Sequence, residues 1–335
     1  METGKNKKWG MNIFVWRIFI LVMLAILVLV SFFISISQGA VNIPFREIMR
    51  MFSSGASVDQ QIMMNIRLPR TILTALVGMN LAVSGAILQA VMRNPLADPH
   101  IIGISSGAGI AGIFIMIVLP QYSFLITPAA FIGAMAAAIC IYILAWKNGI
   151  KPLRIILAGV AVASFIGAGI SALLILYSDR VHGALMWMVG GFAARSWIHV
   201  QLILPYTIVG IIAALMFTRH LNVLQLGDEI AKGLGMNVEV IRILLTAIAA
   251  LLAASAVAVA GLLGFVGLII PHTARLIIGS DYRFLLPASI LLGSIVVILS
   301  DTVARCAFAP LELPVGIFMA ALGAPFFLFL LRRQL

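Results

Sequence analysis

Apolar runs long enough to cross a bilayer follow one another along almost the whole chain, and that recurrence leaves few folds open. A spanning helix needs roughly 20 apolar residues. Ten segments approach or exceed this length: 15–37, 68–91, 101–119, 124–146, 153–177, 198–218, 240–262, 264–278, 283–304 and 314–331. Charged residues make up only 10% of the chain, against about a quarter in an ordinary soluble domain, so a hydrated surface cannot be built. Within a bilayer every backbone polar group must be satisfied internally, which makes each run a helix. The fold class is therefore all-α: a polytopic membrane protein of ten transmembrane helices in one domain, residues 1–335. The segment 264–278 is short for a full crossing, and it and the segment after Pro99 are expected to traverse only part of the bilayer.

The start, "METGKNKKWGMNIFVWR", is basic, and the run Ile18–Ile36 behind it is longer than the roughly 7–15 residues of a signal-peptide core. It is expected to stay as a first span, with its basic end in the cytoplasm. Ten crossings then place both termini there. Seven basic residues fall outside (Arg46, Arg50, Arg67, Arg70, Arg180, Arg195 and Arg305) and the other fifteen of the 22 fall inside, as the positive-inside rule requires. The net charge of +11 is thus assigned to orientation and to anionic lipid, with no nucleic-acid partner.

An internal echo fits this topology. "RTILTA" at Arg70–Ala75 resembles "RILLTA" at Arg242–Ala247, and Pro99–His100 recurs as Pro271–His272, both at an offset of 172 residues. Five crossings separate the copies, so they are expected to be inverted, with repeat-like halves at about 65–180 and 238–335. Between the halves lies the longest polar interruption of the second half, residues 219–242. Within it "LGDEIAKGLG" reads as a short helix, with Asp228 and Glu229 at its positive N-terminal end and Gly233 and Gly235 at its stop. The apolar face of Ile230, Ala231 and Leu234 suits a partner surface.

The chain holds no G-x-x-x-x-G-K-[ST], H-E-x-x-H or G-x-S-x-G motif, and its five histidines are dispersed. No enzyme, cofactor or metal site is expected, and Cys140 and Cys306 read as small hydrophobes. Ion-coupled transporters usually keep a mid-span carboxylate. Asp301 is the acidic residue placed inside a span, and Arg305 four positions on neutralises it as a local ion pair. An energy source outside the chain is the main reading, with an ion-coupled secondary transporter as the alternative.

The residues that remain resemble the FecCD-type permease subunits of ABC importers for iron–siderophores, haem and vitamin B12. The likeness rests on "RLPR" (Arg67–Arg70), "SGAILQAVMRNPLADPHIIGISSGA" (Ser84–Ala108), "LGDEIAKGLGMNV" (Leu226–Val238), "GFVGLIIPHTARLIIGSDYRFLLPAS" (Gly264–Ser289), "DTVAR" (Asp301–Arg305) and "ELPVGIFMAALGAPFFLFLL" (Glu312–Leu331). Six ordered motifs cover nearly the whole chain after the first span.

The resemblance implies the type II importer permease fold in a prokaryotic cell membrane. It also implies two separate ATPase subunits, an extracytoplasmic substrate-binding protein and a second permease chain, identical or related. Ferric siderophore is the implied cargo, with haem and vitamin B12 behind it. By the same likeness Leu226, Gly227, Asp228, Glu229, Ala231, Lys232, Gly233, Leu234 and Gly235 form the segment that couples to the ATPase. Asn94 and Leu96 belong to a cytoplasmic gate, or to a plain Asn-Pro turn. Arg67, Arg70 and Arg305 are outward groups that meet carboxylates of the binding protein, for which the guanidinium fork is suited.

Overall fold

The computed structural model describes residues 13–39, 58–100, 103–147, 152–308 and 311–334. Of the charges assigned to sides above, Lys5, Lys7, Lys8, Arg46, Arg50 and Lys151 lie outside the described residues. The helices are α1 (Ile13–Ser37), α2 (Val58–Ile62), α3 (Leu68–Met92), α4 (Ile104–Val118), α5 (Ile126–Ala145), α6 (Pro152–Leu176) and α7 (Val181–Val189). They continue as α8 (Trp197–Met216), α9 (Thr218–Gln225), α10 (Asp228–Gly233), α11 (Val238–Ala260), α12 (Val266–Ile278), α13 (Tyr282–Cys306) and α14 (Val315–Gln334). Each apolar run of the sequence coincides with one of these helices.

Among the described residues seven helices are long and apolar enough to cross a membrane, while α4 and α12 are shorter. At 1.5 Å per residue, the 13 residues of α12 reach about 20 Å, against a hydrocarbon core of about 30 Å. The short helices α7 and α9 were not foreseen. α7 is too brief to leave a periodic signal, and α9 is amphipathic, with Leu221 and Leu224 buried beneath a polar face.

Helix α3 runs through the middle of the bundle and is buried along almost its full length. It packs on α11, α12, α13 and α8. Asn80 donates to Ser255 Oγ at 3.0 Å and Ser84 to the Ala249 carbonyl at 2.7 Å, so rising numbers on α3 meet falling numbers on α11. The two helices that carry the echoed sequence are therefore antiparallel neighbours. Small residues let the backbones touch: Gly78 faces Gly293 of α13, and Gly85 faces Gly267 of α12. A Cβ on Gly85 would overlap the Gly267 carbonyl, and both partners are backbone that cannot swing aside. Gly85→Val is expected to cost more than about 3 kcal/mol by overpacking, checked by the thermal unfolding midpoint in detergent.

The peripheral helices show the opposite pattern. Ile132 and Ile143 on α5, Phe165 and Ile175 on α6, and Val209 and Ile212 on α8 are exposed, a surface suited to lipid rather than to water.

Candidate functional site

The chemistry-bearing residues gather at the two ends of the bundle. At one end, α10 stands out from the packed helices. Leu226 is 55% exposed, Ile230 53% and Leu234 64%, and Glu229, Lys232, Gly233 and Gly235 are exposed around them. Ala231 turns inward and is fully buried, so the apolar face consists of Leu226, Ile230 and Leu234 rather than the trio expected from sequence. Gly235, at φ +81°, stops the helix, and the Met236 N–H reaches back to the Ala231 carbonyl at 3.1 Å, a Schellman closure.

Asp228 ties this helix to the rest of the chain. Its carboxylate accepts from Arg242 at 2.9 Å and lies 3.8 Å from Arg93. Arg242, on α11, is buried, whereas Arg93 is the left-handed residue (φ 48°) that ends α3. The Arg93 guanidinium also lies over the backbone of Gly227. Directly after Arg93 the Asn94 side chain accepts the Leu96 N–H at 2.9 Å, the short turn that an Asn-Pro pair favours. One carboxylate thus joins α10, the start of α11 and the Asn94–Leu96 turn.

At the opposite end the arginines are not the free rim that the sequence suggested. Arg67, Arg70 and Arg305 are all buried. Arg70 makes two parallel bonds to Asp301, Nε and Nη2 each at 2.9 Å, and a third from Nη1 to Glu312 at 2.8 Å. Arg67 donates to the carbonyls of Ile36 (2.7 Å) and Ser37 (3.1 Å). Arg305 donates to the Ser35 carbonyl and to Ser35 Oγ. These two cations close the last turn of α1, where orphan carbonyls and the negative end of the helix dipole call for them.

The expected Asp301–Arg305 pair is present only at 4.0 Å. A planar fork on a neighbouring helix outcompetes a partner four residues away on the same helix. Glu312, with its side chain 46% exposed, is the accessible member of the group.

Two of the cavities among the described residues bear on these ends. The one at the Arg70 end has a volume of about 260 Å³ and carries Arg70, Arg195 and Glu312 among apolar walls from α7 and from Leu313 and Pro314 just before α14. The larger one, about 770 Å³, is lined by α14 and the α11–α12 connection, with Asp98 and His100 as its polar groups. A waist of backbone hydrogen bonds separates them: Gly191 N–H to Ala260 (2.8 Å), Leu262 N–H to Trp187 (3.3 Å) and Gly316 N–H to Gly190 (3.2 Å). Gly190 and Gly261 sit there at φ +80° and +76°, and a Cβ at Gly261 would strike the Trp187 carbonyl. Only glycine fits that crossing.

Sequence reasoning missed Arg93, Arg242, Glu312 and Asp98 as members of these groups. Asp98 accepts the His100 N–H at 2.8 Å and also bonds the backbone of Leu268, fastening the α3–α4 connection to the start of α12. Arg242 had a signal, since it occupies the position in the echo that Arg70 holds in the first copy. The others lay inside quoted motifs without a mark of their own.

Comparison with known proteins identifies the family of the chain. The model of the FecCD transport family matches residues 7–333. The Fe(3+)-citrate import system permease protein YfmD of Bacillus subtilis is 39% identical, over 95% of this chain and 95% of its own length. The iron(3+)-hydroxamate import system permease protein FhuG of the same organism is 40% identical, over 92% and 95%. A solved chain described as an inward-facing, metal-chelate type ABC transporter superposes with a TM-score of 0.85 at 29% identity, covering 94% of this chain and 99% of that one. With a family model spanning nearly every residue and relatives aligned end to end, the chain belongs to the FecCD transport family.

Proposed function

We propose that this chain is the membrane-spanning permease of an ATP-driven importer that moves ferric siderophores from a docked binding protein to the cytoplasm. It is a transport subunit, with ATP hydrolysis in a separate subunit. The observation that carries the reading is the Asp228 junction, which joins the exposed face of α10 to the Asn94–Leu96 turn. An outside motor needs such a linkage, and a self-contained ion-coupled carrier does not.

In this reading ten crossings arranged as an inverted repeat leave both termini in the cytoplasm. Two ATPase subunits seat on Leu226, Ile230 and Leu234 of this chain and of a second permease, identical or related. Asn94 and Leu96 form the gate that α10 moves. The binding protein meets the other end, where Arg67, Arg70 and Arg305 set the surface from beneath and Glu312 is open to a partner. That end is best probed through Glu312→Arg, which is expected to weaken docking while leaving the α1 closure intact.

The decisive experiment is reconstitution in proteoliposomes with the ATPase and binding protein. Ferric-siderophore uptake is expected to stop without ATP or the ATPase and to survive a protonophore. Uptake by this chain alone, abolished by the protonophore, establishes the ion-coupled alternative instead.

A further inference from the structure

We infer that a basic pocket at the α10 end receives an aspartate or glutamate side chain of the ATPase subunit, with Arg93 and Arg275 as the groups that take it. This rests on the importer reading above and adds a second, polar contact to the apolar one on α10.

The pocket has a volume of about 260 Å³. It is walled by the ends of α3 (Gln89, Arg93, Asn94) and α12 (Arg275), by Gln225 of α9 and by Tyr282 of α13. Two guanidiniums belong to this lining and no carboxylate does. Arg275 makes no ion pair among the described residues. It donates from Nη2 to Gln89 Oε1 at 3.1 Å and bonds the Tyr282 hydroxyl, and both partners are neutral. Those neighbours are fixed in turn. The Gln89 amide donates to the carbonyls of Gly267 and Leu268 at 3.2 and 3.4 Å, and the Tyr282 hydroxyl to that of Ala86 at 3.0 Å. They hold Arg275 in place and leave its charge unmatched.

Arg93 has only a share in an acid, since Asp228 lies 3.8 Å from it but 2.9 Å from Arg242. Asp281, which precedes Tyr282, is held by Arg283 at 2.7 Å and by Arg17 at 3.6 Å. Two guanidiniums with less than one counter-charge between them form a seat for a carboxylate.

Position names the donor of that carboxylate. The Arg93 side chain is 43% exposed and Gln225 is exposed, so the pocket is open to a partner. Gln225 is followed directly by Leu226, the first residue of the apolar face, and Arg93 lies over the backbone of Gly227. A protein seated on Leu226, Ile230 and Leu234 therefore extends over the pocket. An acid of that protein complements the excess charge and fixes its register. It also bears on Asn94, so the motor acts on the turn after α3 as well as on α10.

The test measures binding of the ATPase subunit to the full-length permease in nanodiscs of neutral phosphatidylcholine. Wild-type affinity is expected to fall between about 0.1 and 1 M salt, as screening shortens the reach of the charges. At low salt Arg275→Gln is expected to bind about tenfold more weakly and to lose most of that salt dependence, and Arg275→Lys to keep part of the affinity. Because Arg275→Gln also removes the bonds to Gln89 and Tyr282, variants at Gln225 serve if it fails to fold. The side-chain bond of Gln225, to the Ser280 carbonyl, is long at 3.4 Å. Gln225→Glu should weaken binding, and Gln225→Lys should not. One Asp→Arg or Glu→Arg change in the ATPase should restore binding to Arg275→Glu.

Equal effects of Gln225→Glu and Gln225→Lys, or wild-type binding indifferent to salt, overturn the inference. So does phosphatidylglycerol that native mass spectrometry finds retained by the wild type and lost from Arg275→Gln after exchange into nanodiscs containing it, which would give the pocket to a lipid headgroup. Binding that Leu234→Asp abolishes and no pocket variant alters overturns it and leaves the importer reading standing, while no binding of the ATPase to the wild type overturns both.

Discussion

Asp301→Ala is expected to destabilise the protein by about 3–5 kcal/mol, the range found when one partner of a buried ion pair is removed. The Asp301 side chain is 2% exposed and that of Arg70 10%, so water does not replace the lost carboxylate. Glu312 still holds Nη1, but Nε and Nη2 lose their acceptors. Against a typical total of about 5–15 kcal/mol, such a loss should show as a large fall in the unfolding midpoint and in the yield of folded protein.

Arg70→Glu is expected to be worse, because it sets a third carboxylate against Asp301 and Glu312. Its failure to accumulate would therefore say nothing about docking. A double-mutant cycle with Arg70→Met and Asp301→Leu separates the pair from its surroundings: the double variant should recover much of what either single change loses. Unfolding of Asp301→Ala within about 0.5 kcal/mol of wild type would remove the pair from the list of supports.

Asp228→Ala is expected to act on transport and also to lower stability, because the Arg242 side chain that loses its carboxylate is only 2% exposed. The residue is about one-third exposed, and the apolar face of α10 that would hold the ATPase does not include it. The variant should assemble and hydrolyse ATP, while uptake per ATP falls about tenfold or more, the equivalent of about 1.4 kcal/mol of lost coupling. Leu234→Asp supplies the contrasting result, since a charge on the exposed face should prevent ATPase association itself. Unchanged uptake per ATP in Asp228→Ala would show that the junction is not the transmission element. Arg93→Gln is expected to be milder, because its contact is 3.8 Å rather than 2.9 Å.

The parts of the structure that were legible in the sequence are those governed by local rules. The apolar runs gave all of their helices, because a run of that length has no alternative in a bilayer. The stop of α10 at Gly235 followed from glycine chemistry. Partners distant in sequence were not legible. Arg70 meets Asp301 and Glu312 across 231 and 242 residues, and nothing along the chain announces such a meeting. The rule for residues four apart favoured Asp301 with Arg305, and tertiary geometry overrode it. The carbonyls at the end of α1 that Arg67 and Arg305 satisfy carry no mark of that need in the sequence.

Helix α3 has a mechanical consequence. Its 25 residues form a rod of about 37 Å, anchored through Arg70 at one end and through Arg93 at the other. At two points it touches α13 and α12 glycine to glycine, and beside them Leu73, Val77 and Leu81 pack with Val297, Val266 and Ile270 in one buried cluster. A force applied at α10 therefore reaches the far end as tilt of a stiff beam, not as flexure. Spin labels placed along α3, α12 and α13 should keep their mutual distances through the transport cycle, while distances from that block to α7 and α14 change.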